Sequence, residues 1–490
     1  MAQRGTKIVI GAKLKRLRRS LNLTQAQMAQ DLGVSPSYIT LIESNQRPIS
    51  AQLLVKLAQI YDFSPGDIDT NADLQLQSEL AALAKDPVFG QSIPRAELEE
   101  VVGASPALAR GVLALYGRYR DLAMAASADD TPYADREKAE LLEQTAKPVE
   151  DVREHFHGRS NYVASLDSLA EARAEDLKIT RNEPQIVLSE RLKSKFGYDV
   201  RIRTQDFLPH QLRLFDPHRK CLNLSERLDQ SGRRFQIALT LARLEYADAI
   251  EEEVNAGNFS EEARPLARES FASYFAAALL MPYGQFLKAA ESERYDVQLL
   301  CQRFGASYEQ VAHRLTTLQR PSARGIPFFF VRVDQAGNVS KRFSAGRFHF
   351  SRFGGSCPLW NIHNCFDAPD RVHTQIIAMP DGTTYFSLAK SELRHGSTYS
   401  APAARLAIGL GCDIAYAPRL IYAKGLDIAQ VKPVDIGVNC YLCERQSCAS
   451  RAYPPLNRPF SFSDRVRGIS SFSFEADDTA GHATKRPSVS

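Results

Sequence analysis

Leu23-Thr24-Gln25-Ala26-Gln27-Met28-Ala29, then Gly33-Val34-Ser35-Pro36-Ser37-Tyr38-Ile39 and Ile42-Glu43-Ser44-Asn45-Gln46-Arg47-Pro48, decide how the N-terminal end of this chain folds. Thr24 suits a helix N-cap, with Gln27 at the third helical position to complete a capping box. Gly33 ends that helix, and Ser35 caps the next with Pro36 at its first position. Ser50 caps a further helix that ends near Tyr61, while Leu14, Leu17 and Leu21 give an amphipathic helix ahead of the group. Two short helices about a glycine turn form a helix-turn-helix, which presents its second helix to the major groove of DNA. Ile39 and Ile42 then face inward. Ser37, Tyr38 and Leu41 are expected near the bases, with Ser35 among the DNA-binding residues as the cap of that helix; Gln25 supports or contacts the DNA backbone, and Asn45 and Arg47 grip phosphates without reading sequence.

Charge supports that reading. Residues 1–60 carry nine Lys and Arg against Asp31 and Glu43, a net +7, although the whole chain sums to only +4. A basic head on a mildly acidic body is the footprint of a DNA-binding module joined to something else. One head covers about half of a site, so the partner is double-stranded DNA and the expected assembly is a homodimer.

The rest of the 490 residues exceeds one core, and a composition of 44% hydrophobic and 24% charged residues is that of a globular protein. No apolar run is long enough for a membrane span, and the N-terminus lacks the apolar core of a signal peptide, so a cytoplasmic location is expected. Residues 72–155 are Ala-, Leu- and Glu-rich with breaks at Pro87, Pro94, Pro106 and Pro132, and read as a helical connector. Residues 156–320 are again mostly helical, with one alternating stretch over 200–224 that suggests a short hairpin. After Pro321 the texture changes. Phe328–Val333 and Val339–Phe343 around Ala336-Gly337-Asn338 read as a hairpin, with more strands at Thr374–Met379 and Thr384–Leu388 about Asp381-Gly382. The Ser- and Thr-rich tail from 467 reads as disordered.

Six of the eight cysteines lie between 357 and 448. Cys440, Cys443 and Cys448 give C-x2-C-x4-C, with Cys412 upstream as a fourth thiolate and Cys357 or Cys365 as substitutes. Four thiolates hold Zn²⁺ or an iron–sulfur cluster. The uneven spacing suits a [4Fe–4S] cluster, with zinc or plain reduced thiols as alternatives. Arg332, Lys341, Arg342, Arg347 and Arg352 alternate with Phe343, Phe348, Phe350, Phe353 and Trp360. Such a set could hold phosphates and an adenine ring, or simply be the wet face of an amphipathic sheet.

Three resemblances rest on these residues. The segment 23–48 resembles the helix-turn-helix of the phage-repressor-like (XRE/Cro) family. Arg234-Phe235-Gln236-Ile237-Ala238-Leu239-Thr240-Leu241-Ala242-Arg243-Leu244, with Glu269–Pro282, resembles the ImmA/IrrE-like metallopeptidases, in which a Phe-x-x-Ala stretch leads into HExxH. That motif sets two His on one helix face to bind zinc, with a Glu to activate water. Here those positions are Leu239, Thr240 and Arg243, and Glu269 alone remains as a ligand type, which implies a peptidase-like fold that is not an enzyme. Taken whole, with Ile326–Asp334, Ser356–Trp360 and Arg451-Ala452-Tyr453-Pro454-Pro455, the chain resembles the short-chain fatty-acyl transcriptional regulators. That resemblance implies acyl-CoA sensing and control of propionate- and glyoxylate-type metabolism.

The expected architecture is multidomain α and α+β. It comprises an all-α lambda-repressor-like head (1–71), a helical connector (72–155), a mainly helical pseudo-metallopeptidase domain (156–320), an α+β sensor domain (321–466) and a tail (467–490). The binding residues within the sensor are Arg332, Lys341, Arg342, Arg352 and Trp360 for acyl-CoA, and Cys412, Cys440, Cys443 and Cys448 for metal.

Overall fold

Local capping chemistry shapes the head of the protein in the computed structural model. The structure describes residues 11–474 except 22, 45, 62–69, 85, 87–92, 127–146, 180–182, 347, 349, 351–355, 370, 395–403, 456–459, 462–466 and 471. The head comprises α1 (Gly11–Ser20), α2 (Gln25–Leu32), α3 (Pro36–Glu43) and α4 (Ala51–Tyr61). Thr24 accepts from the Gln27 N–H while Gln27 returns a bond to Thr24, the full capping box. Gly33 closes α2 at φ +66°, a conformation in which a Cβ is strained. Ser35 accepts from the Tyr38 N–H, and Ser50 from Leu53. Leu14, Met28, Leu32, Ile39, Ile42, Leu53 and Leu57 fill the head's core. Leu21, expected on the buried face of α1, lies just past its end and is exposed.

The connector is helical as far as it is described: α5 (Thr70–Leu83), α6 (Arg95–Ala104) and α7 (Pro106–Ala126), packed around Leu76, Leu80, Leu98 and Val102. Pro94 and Pro106 stand at the starts of α6 and α7, where a missing N–H costs nothing. Pro87 and Pro132 lie outside the described residues.

A helix over 147–158 (α8) leads into the middle of the chain. There α9 (Ala164–Asp176), α10 (Pro184–Phe196), α11 (Gln230–Glu245), α12 (Ala247–Ala256), α13 (Ala263–Leu280), α14 (Tyr283–Ser292), α15 (Val297–Phe304) and α16 (Tyr308–Leu315) surround a small sheet. The hairpin expected over 200–224 is half of that sheet. β2 (Arg213–Asp216) pairs antiparallel with β3 (Cys221–Ser225), but β1 (Asp199–Arg203) adds to β3 in parallel, giving the order β1-β3-β2. α13 runs through the core with Phe271, Phe275 and Leu279 buried. Its Tyr274 hydroxyl donates to Asp167 at 2.6 Å, and Arg314 forks onto the same carboxylate at 2.8 and 3.0 Å. Both members of this ion pair are essentially inaccessible to water, so neither charge can be left alone without a large desolvation cost.

The C-terminal part is a six-stranded sheet in the order β5-β4-β8-β7-β6-β9, built from β4 (Phe329–Asp334), β5 (Val339–Ser344), β6 (His373–Ala378), β7 (Thr384–Arg394), β8 (Ala404–Asp413) and β9 (Val434–Asp435). The expected hairpins are present, and Gly382 makes the β6–β7 turn at φ +82°. β8, the strand that joins the two hairpins, is not among the strands expected from sequence. Its Gly411 is required by close approach, since a Cβ there would lie 2.3 Å from the Phe329 ring. One sheet face packs Phe330, Phe386, Leu388, Ile408 and Leu410 onto Tyr283, Phe286, Val311 and Leu315, so the helical middle and the sheet share a core. The other face carries Phe329, Val331, Phe348 and Trp360, with α17 (Asn361–Asn364) laid over it. The described structure extends beyond the boundary expected at 467. β11 (Ser473–Phe474) pairs with β10 (Phe460–Ser461), and Phe474 is buried. Residues 475–490 lie outside the described residues.

Candidate DNA interface and sensor sites

The outward face of α3 carries Ser37, Thr40 and Ser44, all exposed, with Tyr38 and Leu41 half-buried at its flanks. Thr40 was not singled out in the sequence, though its spacing from Ser37 and Ser44 puts it on the same helix face. Gln25 lies at the start of α2. Its Nε2 donates to Glu43 at 2.7 Å, and its Oε1 accepts from Thr40. Glu43 also takes both arms of Arg18, at 2.7 and 3.1 Å. Burial raises the Glu43 pKa, but the Arg18 and Gln25 bonds outweigh it and leave the carboxyl below its usual range. Gln25 is thus a positioning residue that locks α2 to α3, and Ser35 is a cap whose hydroxyl also meets Ser37 at 3.0 Å. The Arg47 N–H is held by the Leu41 carbonyl, and its guanidinium lies 4.9 Å over the Tyr38 ring. That stack places a cation beside the reading helix. Asn45 lies outside the described residues.

The degenerate peptidase motif sits on α11. Leu239 and Thr240 are buried, and the Thr240 hydroxyl donates to the Gln236 carbonyl one turn back. Arg243, where the second zinc-binding His would stand, forms an ion pair with Glu269 of α13. A cation occupies the carboxylate that would have served a metal.

The sheet cations expected to form one ligand patch do not converge. Arg332 of β4 and Lys341 of β5 both clamp Glu309 at the start of α16, at 2.8 and 2.6 Å. Arg342 holds Glu150 of α8 at 2.7 Å. Trp360 is buried on the sheet face opposite Arg332 and Lys341 and donates to Ser387 at 2.8 Å. Each of these cations is already held by a carboxylate from the helical part, Arg332 and Lys341 sharing Glu309, so the expected phosphate cradle is corrected to a set of staples between sheet and helices. Arg347 and Arg352 lie outside the described residues. A small cavity of about 50 Å³ opens beside this sheet, lined by Pro327, Phe329, Phe348, Tyr385, Cys412 and Tyr416.

The cysteine set is corrected as well. Cys412 is buried in the core shared with the helices, on the same side as Leu410 and Phe386. Cys357 belongs to the other face, and Cys440 and Cys443 lie close enough to influence its charge. The four expected ligands, Cys412, Cys440, Cys443 and Cys448, therefore do not fit one tetrahedral or cluster site, because a sheet separates Cys412 from the loop. Among the described residues no group of three His, Cys, Asp or Glu side chains could hold a metal ion. Burial raises the Cys357 pKa, partly opposed by the Gly437 and Leu359 N–H groups. Arg451 shapes this loop by donating to the carbonyls of Cys440, Cys443 and Arg445, while Tyr453 stacks on Tyr441 at 4.5 Å. The Arg451–Pro455 segment thus closes the cysteine loop.

The contacts also define a route from the sheet to the head. His157 of α8 meets the Ser344 carbonyl of β5 through Nδ1 at 3.2 Å and Glu79 of α5 through Nε2 at 3.7 Å. α6 in turn packs against α1.

Residues 14–68 match a helix-turn-helix model, 197–316 an IrrE N-terminal-like domain, and 317–472 the C-terminal domain of the short-chain fatty acyl coenzyme A regulators. The chain is 41% identical to the HTH-type transcriptional regulator PrpR of Mycobacterium tuberculosis, over 91% of this chain and 92% of that protein. It is 40% identical to the propionyl-CoA carboxylase regulator of Cereibacter sphaeroides, over 94% and 98% of the two chains. A solved Mycobacterium tuberculosis transcriptional regulator superposes with a TM-score of 0.64 at 43% identity, covering 66% of this chain and 99% of that one. Among the described residues no helix is long and apolar enough to cross a membrane.

Proposed function

The chain belongs to the short-chain fatty acyl coenzyme A regulators, helix-turn-helix transcriptional regulators, and from that premise we propose that it is a cytoplasmic, non-enzymatic homodimer whose DNA affinity is set by a short-chain acyl-CoA. Ser37, Tyr38 and Leu41 read base edges, Thr40 joins them on the outward face of α3, and Arg47 and Asn45 position the head on phosphates. The observation that carries the reading is the continuous contact from the sheet through His157 to the connector, which gives a ligand-dependent shift of the sheet a physical path to the head. Arg243 on Glu269 supports the non-enzymatic part, because it fills the metal side of the cleft with a cation.

Thermal unfolding against acetyl-, propionyl-, butyryl- and longer acyl-CoA tests the effector. A ligand at about 100 times its Kd stabilises what it binds by roughly 2.7 kcal/mol, a shift of several degrees. A shift confined to short chains is expected; no shift with any CoA removes the effector reading.

A second input is favoured by the nearness of Cys357 to Cys440 and Cys443. Under this reading the loop responds to oxidation of its thiols. DNA affinity before and after mild oxidation tests it, and an affinity unchanged by oxidation removes it.

A further inference from the structure

The vestigial cleft of the peptidase-like part keeps a half-buried charge that its surroundings do not balance. Arg213 begins β2, the edge strand of the small sheet, directly opposite Leu224 of β3. Opposed residues of an antiparallel pair share a face, and Leu224 is packed in the core with Leu239 and Ala242 of α11. The Arg213 side chain therefore points to the α11 side of the sheet, where Arg243 stands. Leu214, its neighbour, points the other way and is exposed. Arg213 Nη1 is shielded from water and finds no hydrogen-bond partner among the described residues.

The electrostatics agree. Burial alone lowers the Arg213 pKa, with no carboxylate acting to restore it. Arg243 is lowered by burial first and then by the charge of Arg213. Glu269, the one carboxylate paired with Arg243, offsets a single charge. The side chains of Arg243 and Glu269 are 42% and 41% exposed, so the mouth of the cleft is open to solution. Two neighbouring guanidiniums, one of them with an unspent buried donor, favour a ligand bearing several acceptor oxygens in a plane or fork.

We propose that the cleft between β2 and α11 is an anion site, in which Arg213 and Arg243 bind the phosphate or carboxylate of a small soluble ligand. The site takes the place of the zinc centre for which this fold has lost its histidines, with cations now facing inward where a metal would have stood. The proposal holds whether or not acyl-CoA acts on the sheet.

The test is thermal unfolding of the full chain at constant ionic strength in chloride, with sodium phosphate and sodium propionate as separate probes. A saturable rise of several degrees is expected with at least one of them. A response to phosphate alone assigns a phosphorylated ligand, and a response to propionate alone assigns a carboxylate. Arg213→Gln should abolish the response. Arg213→Lys, which keeps the charge but loses the fork, should retain a weakened one and covers the case in which the Gln variant does not fold. No shift with either anion, or a response unchanged in both variants, overturns the proposal.

Discussion

Arg342 of β5 grips Glu150 of α8 at 2.7 and 2.9 Å, tying the C-terminal sheet to the helix from which His157 reaches the connector. Both side chains are largely shielded, so the pair should contribute more than a surface ion pair. A double-mutant cycle with Arg342→Ala and Glu150→Ala is expected to show a coupling of about 1 to 2 kcal/mol. The single variants should also blunt the response of DNA affinity to ligand while leaving ligand-free affinity unchanged. Additive stabilities, or a full response in both variants, would count against the staple.

Arg314 and Asp167 are the most deeply buried ion pair described. Removing one partner strands the other charge in the core, so Arg314→Met should cost about 3 to 5 kcal/mol in urea unfolding. The double variant Arg314→Met, Asp167→Leu should recover much of that loss. A single variant within about 1 kcal/mol of the parent would contradict the assignment.

Arg47→Ala should weaken binding to all DNA sequences and reduce the salt slope by about one unit. Ser37→Ala and Thr40→Ala should instead lose affinity for the preferred sequence with the slope unchanged. Sequence-selective loss in Arg47→Ala at constant slope would assign it a reading role.

His313 is enclosed between Phe343 and Phe330, and burial pushes its pKa from 6.5 down to about 3. The unfolded chain takes up a proton at this site below about pH 6.5, and the folded chain does so only near 3. The contribution of His313 to stability is therefore intact above pH 6.5 and declines between 6.5 and 3, by up to about 1.4 kcal/mol per pH unit. His313→Leu should flatten that decline. Urea midpoints from pH 7.5 to 4.5 check it, and an equal slope in the variant would refute it.

The parts of this fold set by local chemistry were readable from sequence. Thr24, Gln27, Gly33 and Ser35 act within a few residues of themselves, and each takes the cap or turn its neighbours dictate. The departure from HExxH was also local, in Leu239, Thr240 and Arg243. Partnerships across the fold were not readable. Nothing near Arg342 announces Glu150, 192 residues away, so interleaved basic and aromatic residues looked like a ligand cradle. Cys412 failed for a similar reason. The spacing of cysteines does not tell which side of a strand each faces until β8, hidden by its glycines, is placed between β4 and β7.

Acyl-CoA control is tested most directly by DNA affinity with and without propionyl-CoA, measured by fluorescence anisotropy on a duplex selected from a random library by the full chain. Propionyl-CoA should change the Kd by tenfold or more, whereas palmitoyl-CoA and free CoA should leave it unchanged. An affinity indifferent to all three would contradict acyl-CoA control of this regulator.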